Sequence, residues 1–201
     1  MFAPALIFLA IAVRLSSPGP VLYRGIRVGL NGRLFRVLKF RTMVVNAESL
    51  GGSCTSDDDR RITRVGRWLR KHKLDELPQL LNVFRGEMSF VGPRPEVQRY
   101  VDMFSDEEKQ ILSVRPGITD WATLWDCDEG AALLGSADPA LTYLEKIRPE
   151  KVRLQLKYVR ERSLWIDTKI ILMTCRLVLN RCFASRSWVD RSIHRSLGKD
   201  L

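Results

Sequence analysis

Asp75 and Glu76 stand side by side in Lys73-Leu74-Asp75-Glu76-Leu77-Pro78-Gln79-Leu80-Leu81-Asn82-Val83-Phe84-Arg85-Gly86. The cations Arg60, Arg61, Arg64, Arg67, Arg70, Lys71 and Lys73 precede them without an intervening acid, and Gly92-Pro93-Arg94-Pro95 follows. A carboxylate pair between a basic run and an arginine stiffened by two prolines points to chemistry on a phosphorylated or otherwise anionic ligand. A guanidinium with little backbone freedom suits bidentate phosphate binding. Arg115-Pro116-Gly117 repeats the theme of an arginine fixed beside a breaker.

The element that must position the pair is a helix. Leu77, Leu80, Leu81 and Phe84 recur at i, i+3, i+4 and i+7, which predicts one apolar face, and Gly86 suits the position just past its end. Pro78 is tolerable only in a first turn, so Asp75 and Glu76 belong at the helix N-terminus. Unpaired amides and the positive end of the helix dipole favour ionised carboxylates there. On these residues alone a helix cap is the favoured reading of Asp75, because capping is what Asp most often does at a helix start; the basic run before it and the rigid Arg94 after it shift the balance toward chemistry.

The 201 residues suffice for one domain with a modest core or for a compact domain with an appendage. The net charge of +10 is uneven: Arg14 to Arg85 holds 15 Lys/Arg against 6 Asp/Glu. That half calls for nucleic acid, anionic lipid or a phosphorylated substrate. Base-stacking binders interleave aromatics with cations, whereas the run 60–73 holds only Trp68, so nucleic acid is not the expected partner. The four cysteines lack a CxxC pair, and two histidines give little support to metal or triad chemistry.

Residues 1–13 are uncharged and almost wholly apolar, too few to span a bilayer as one helix. Ser16-Ser17-Pro18-Gly19-Pro20 ends that segment. Val21–Arg24 and Leu34–Phe40 read as two strands joined through Gly29-Leu30-Asn31-Gly32. Val44 to Asp59 reads as a solvated loop. Residues 60–71 read as a helix with Ile62, Val65 and Leu69 inward and Arg60, Arg64, Arg67 and Lys71 on another face. Residues 96–114 are expected to be helical, with Ser105 as a cap. Residues 139–162 form a charged helical stretch interrupted near Pro149, and 164–179 an amphipathic helix too charged to span.

In order, Ser17-Pro18-Gly19-Pro20, Lys39-Phe40-Arg41-Thr42-Met43, Leu74-Asp75-Glu76-Leu77-Pro78-Gln79-Leu80, Gly86–Pro95 and Arg115-Pro116-Gly117-Ile118-Thr119 resemble the motifs of the bacterial sugar transferases, the monotopic polyprenyl-phosphate hexose-1-phosphate transferases. The match runs from about residue 3 to about residue 179. The resemblance implies a helix-rich α/β fold with a small β-hairpin or sheet. It implies a membrane-inserted, re-entrant-type helix at 1–16 and a single cytoplasmic catalytic domain at 17–201 that includes the amphipathic helix 163–179. The chain starts where the family's helix break lies, so only the second arm, Ala5 to Leu15, is expected.

The implied activity moves a sugar 1-phosphate from a UDP-sugar to undecaprenyl phosphate at the cytoplasmic face of the bacterial inner membrane. UMP is released and a surface glycan is begun. Asp75 is the implied nucleophile, forming a phosphosugar-aspartyl intermediate, and Glu76, with Asp75, the implied Mg²⁺ holder. Lys39, Arg41, Arg94 and Arg115 are expected at substrate phosphates. Asp167 matches a family carboxylate, with a salt bridge as the equal alternative. Membrane lipid is a further expected partner, and a homodimer is one candidate assembly. The rivals are a basic membrane- or nucleic-acid-binding module without catalysis and an inactive family scaffold. Asp120-Trp121-Ala122-Thr123 departs from the Gly-Trp-Ala-Gln of many members, which bears on donor choice.

Overall fold

The structure, a computed structural model, describes residues 3–50, 55–126, 133–136 and 138–183. Cys54, Cys127 and the basic tail with Trp188 lie outside them. The chain is mixed α/β and helix-rich, with two small two-stranded sheets. Among the described residues no helix is long and apolar enough to cross a membrane. Two compact units are present. One is built from Met1–Gly25, Arg36–Asn82 and Asp128–Pro149, the other from Ile26–Phe35, Val83–Cys127 and Glu150–Leu201.

The first unit begins with α1 (Ala3–Ser16), a continuous helix with Pro4 in its first turn, where a missing amide hydrogen costs nothing. Leu9 and Val13, one turn apart, are buried with Phe40 and Leu69, and Val21, Leu22, Val65, Leu74 and Leu77 pack around them. The opposite side of α1 is apolar too: Ile7, Phe8, Ile11 and Leu15 are exposed, Leu15 at 81%. A helix apolar all round but buried on one side only has an unmatched face.

The hairpin expected from the turn chemistry is present as β1 (Leu22–Val28) and β2 (Leu34–Phe40), joined by a short 3₁₀ turn in which Asn31 and Gly32 take positive φ. The helix expected from residue 60 starts later, as α2 (Arg64–Lys71), because Thr63 caps it by accepting from the Gly66 amide at 2.9 Å. Gly66 is required there, since a Cβ would collide with the Thr42 carbonyl. Leu74–Glu76 forms a separate 3₁₀ turn entered through Lys73 in left-handed geometry, and α3 (Gln79–Phe84) follows Pro78. Gly86, at φ 73°, ends it as expected. Pro139–Thr142 makes α6, and a π turn at Tyr143–Ile147 leads on to α7 (Arg148–Glu161), so the chain stays helical through Pro149, and the expected interruption is only a widened turn just before α7.

The second unit is built on β3 (Ser89–Val91) and β4 (Gly117–Thr119), which pair in parallel with Ser89 opposite Gly117 and Val91 opposite Thr119. A Cβ at Gly117 would strike the Gly92 backbone, so this close approach needs glycine. The Gly117 amide donates to Pro93 O and the Gly92 amide to Thr119 O, both at 3.0 Å, which fixes the Gly-Pro-Arg-Pro segment against β4. The single helix expected over 96–114 is instead α4 (Gln98–Val101) and a 3₁₀ helix at Glu108–Ser113. A reciprocal capping box separates them: Ser105 Oγ accepts from the Glu108 amide, and Glu108 accepts from the Ser105 amide. The Ser105 cap was legible, but the break it imposes was not. α5 (Trp121–Trp125) follows β4 directly. The core joins Val91, Trp121, Leu124, Leu154 and Tyr158 to Ile170 and Leu177 of α8 (Leu164–Phe183). Val152 and Leu156, on another side of α7, bury a second cluster with Phe104 and Ile111.

Candidate active site

The Lys39–Met43 stretch is a hub within the first unit, because successive residues of an extended chain point opposite ways. Lys39 Nζ donates to Glu76 Oε1 at 2.8 Å. Phe40 enters the core. Arg41 is buried, and its Nη2 donates to Ser17 O at 2.7 Å and Ser17 Oγ at 3.0 Å, at the exit of α1. The Thr42 carbonyl accepts from the Thr63 amide at 2.9 Å, and Thr42 Oγ1 accepts from Arg70 Nε at 3.0 Å.

Asp75 is buried in the 3₁₀ turn. Among the described residues no hydrogen-bond donor reaches its carboxylate, so it does not cap α3. Burial pushes its pKa above the ordinary carboxylate value, and the adjacent Glu76 carboxylate adds to the rise; Lys39, Arg70 and Lys73 pull it back. A carboxylate without hydrogen bonds, beside a second one and within reach of three cations, keeps its lone pairs for a ligand.

Arg70 and Asn82 were not singled out in the sequence. Arg60, Arg64, Arg67 and Lys71 are exposed, as expected of a solvated face, whereas Arg70 turns inward toward Thr42 and Asp75. The available signal was Gly66, one turn earlier on the same side, which marks close approach to residue 42. Asn82 is fully buried, with its Oδ1 accepting from the Leu38 amide at 2.9 Å and its Nδ2 donating to Arg36 O at 2.8 Å. Its amide therefore pairs with β2 as a neighbouring strand would, and fixes α3 to the strand that carries Lys39.

The apolar face of α3 corrects a simple reading of its periodicity. Gln79 and Asn82 are inside, while Leu80 and Leu81 are outside and Phe84 is 91% exposed. The inward side is polar because β2 offers backbone hydrogen bonds there.

The other expected residues lie in the second unit. Arg94 is half-buried, close enough to the buried Asp120 to lower its pKa, although burial raises that pKa overall. Arg115 is exposed, with Nε donating to Gly86 O at 3.0 Å. Asp167 makes no salt bridge recorded among the described residues; it accepts from Tyr158 Oη at 2.9 Å. Burial and this bond push the Tyr158 pKa up, so the phenol stays protonated. A bacterial sugar transferase family model matches residues 1–181.

The chain belongs to the bacterial sugar transferase family. Curated relatives agree. The chain is 40% identical over 182 residues to a UDP-N-acetylgalactosamine-undecaprenyl-phosphate N-acetylgalactosaminephosphotransferase of Aeromonas hydrophila, covering 89% of this chain and 40% of that one. It is 40% identical over 181 residues to an undecaprenyl-phosphate glucose phosphotransferase of Komagataeibacter xylinus, covering 87% of this chain and 32% of that one. It is 38% identical over 183 residues to a UDP-glucose:undecaprenyl-phosphate glucose-1-phosphate transferase of Escherichia coli K12, covering 87% and 36%. The chain thus spans about a third to two-fifths of the length of these relatives.

Proposed function

We propose that this sugar transferase moves a sugar 1-phosphate from a UDP-sugar to undecaprenyl phosphate, the first membrane step of a surface glycan such as an exopolysaccharide, capsule or O-antigen. The observation that carries the reading is the buried Asp75 carboxylate, free of hydrogen bonds and set between Glu76 and the cations Lys39, Arg70 and Lys73. An Asp75 oxygen attacks the phosphorus that bears the sugar. The bond from that phosphorus to the UMP oxygen breaks, and UMP leaves with the electron pair. A phosphate oxygen of the acceptor then attacks the same phosphorus, and Asp75 departs as a carboxylate. Lys39 and Arg70 offset charge on the diphosphate. Arg94, Arg115 and Asp167 are assigned to substrate binding. Arg41, whose bonds go to the end of α1, is assigned to fixing that helix.

Asp75 and Glu76 fit magnesium: two adjacent hard carboxylates repel one another, which a cation would relieve, and Mg²⁺ is commonly held by one or two carboxylates plus substrate phosphates. Bound there, Mg²⁺ would supply neutralising charge to the diphosphate. The exposed apolar side of α1 supports a re-entrant-type insertion into one leaflet, and the exposed Arg60, Arg64, Arg67, Trp68 and Lys71 support contact with anionic head groups. Both support contact with a membrane surface, and we assign the chain to the cytoplasmic face of the inner membrane.

The test uses the full chain in lipid with Mg²⁺, undecaprenyl phosphate and a panel of labelled UDP-sugars. At least one donor should release UMP and leave a labelled protein adduct when acceptor is omitted. Asp75→Asn should lower both by about a thousandfold or more. Turnover surviving in that variant would place the nucleophile elsewhere.

A further inference from the structure

Beside the start of α8, the second unit contains a cavity of about 290 Å³ lined by Arg115, Tyr158, Arg162, Ser163, Leu164 and Asp167, among others. Three of its features favour an anionic ligand. Arg115 is oriented through its Nε bond to Gly86 O, which leaves its terminal nitrogens to a ligand. Arg162 makes no hydrogen bond or ion pair among the described residues, yet it lies near enough to Tyr158 to oppose the rise in that phenol's pKa. The 20-residue helix α8 begins at this cavity, with Ser163 Oγ accepting from the Ile166 amide at 3.3 Å, so the positive end of its dipole adds to the two guanidinium groups. Asp167 is held to the wall by the Tyr158 hydroxyl, and one carboxylate does not cancel two arginines and a helix terminus.

The surroundings indicate which anion. Leu164 lines the cavity and is 87% exposed, and Trp165 beside it is 76% exposed. Trp165, Leu172 and Leu179 follow at intervals of seven and are all exposed, giving α8 an outward apolar stripe that starts at the cavity mouth. A nucleotide sugar is polar at both ends of its diphosphate and would leave that stripe uncovered. A phosphomonoester carrying a long hydrocarbon chain matches both parts, with its head in the cavity and its chain along the stripe.

We infer that this cavity binds the phosphate of the long-chain isoprenoid acceptor, with Arg162 as a head-group ligand and Leu164 and Trp165 receiving the first isoprene units. The inference rests on the two-step transfer proposed above, and the two can fail separately. The experiment follows the half-reactions of the full chain in lipid nanodiscs. Arg162→Gln should leave UMP release and adduct formation without acceptor unchanged. It should slow discharge of the adduct by undecaprenyl phosphate, raising the KM for that acceptor about tenfold, the effect of one charge-assisted hydrogen bond. Trp165→Ser should raise the KM for undecaprenyl phosphate and for a two-isoprene phosphate alike.

Loss of adduct formation in Arg162→Gln with normal discharge would assign the cavity to the nucleotide donor and overturn the inference, as would normal behaviour in both steps. If the unaltered chain forms no adduct, the covalent reading falls, and native mass spectrometry decides the cavity. Undecaprenyl phosphate retained over undecaprenol by the unaltered chain, but not by Arg162→Gln, supports the inference; equal retention overturns it.

Discussion

Asp75 and Asp120 are both buried aspartates whose carboxyl pKa burial raises, yet they have opposite surroundings. Asp120 caps α5: its Oδ1 accepts from the Thr123 amide and from Thr123 Oγ1, each at 2.7 Å. Asp75 lies in the 3₁₀ turn Leu74–Glu76, where these residues alone favour a cap over a catalyst, and it accepts no hydrogen bond among the described residues. Burial alone therefore does not mark a reactive carboxylate. What separates the two is the kind of neighbour. Two directed donors hold Asp120 in place for folding, whereas a second carboxylate and three cations surround Asp75 without engaging its lone pairs. The first arrangement completes a helix end, and the second leaves carboxylate lone pairs unused, as the proposed transfer requires.

The comparison breaks most visibly at Asp75. A carboxyl group whose pKa is raised in the folded state favours folding while it is protonated. That contribution fades as pH rises from the ordinary carboxylate range through the folded-state value. At neutral pH the ionised group costs stability, so Asp75→Asn should abolish the adduct while raising stability by about 1 kcal/mol, read as a higher Tm. A lower Tm would mean that Asp75 holds the fold as Asp120 does.

Asn82→Leu should come next in size. It strands the Leu38 amide and the Arg36 carbonyl, costing about 2 kcal/mol in urea unfolding. It should also lower adduct formation in the protein that remains folded, by loosening α3 from the strand of Lys39. Unchanged adduct rates would confine Asn82 to stability.

Asp120→Ala should cost about 1 kcal/mol for the lost cap, with UMP release per folded molecule unchanged. A loss of chemistry there would erase the contrast with Asp75. The smallest effect is expected from Lys39→Met. Lys39 lowers the Asp75 pKa, so its removal should move the acid limb of the pH–rate profile to higher pH. Activity lost at neutral pH should then return as pH rises. A uniform loss at every pH would mean that Lys39 acts on the substrate alone.

Much of this was legible because it is local. Turn residues announced β1 and β2, Gly86 ended α3, and Ser105 gave its cap. The ordered motifs point to the family without reference to the fold. The face of α3 was not legible. Periodicity locates an apolar side but not the medium it meets, and the partners that draw Asn82 inward lie 44 and 46 residues away. Arg70 was hidden for the same reason, as one cation in a run of seven until Gly66 lets its helix approach Thr42.

The acidic pair, the cations around it and the turns that carry them follow from residue types and spacings within a few turns of chain. That Asp75 is buried without a hydrogen bond, that Arg41 bonds to the end of α1, and that apolar sides of α1, α3 and α8 face outward are matters of tertiary packing. Those outcomes depend on which distant backbone donors, acceptors and apolar surfaces meet, and local spacing carries no record of that.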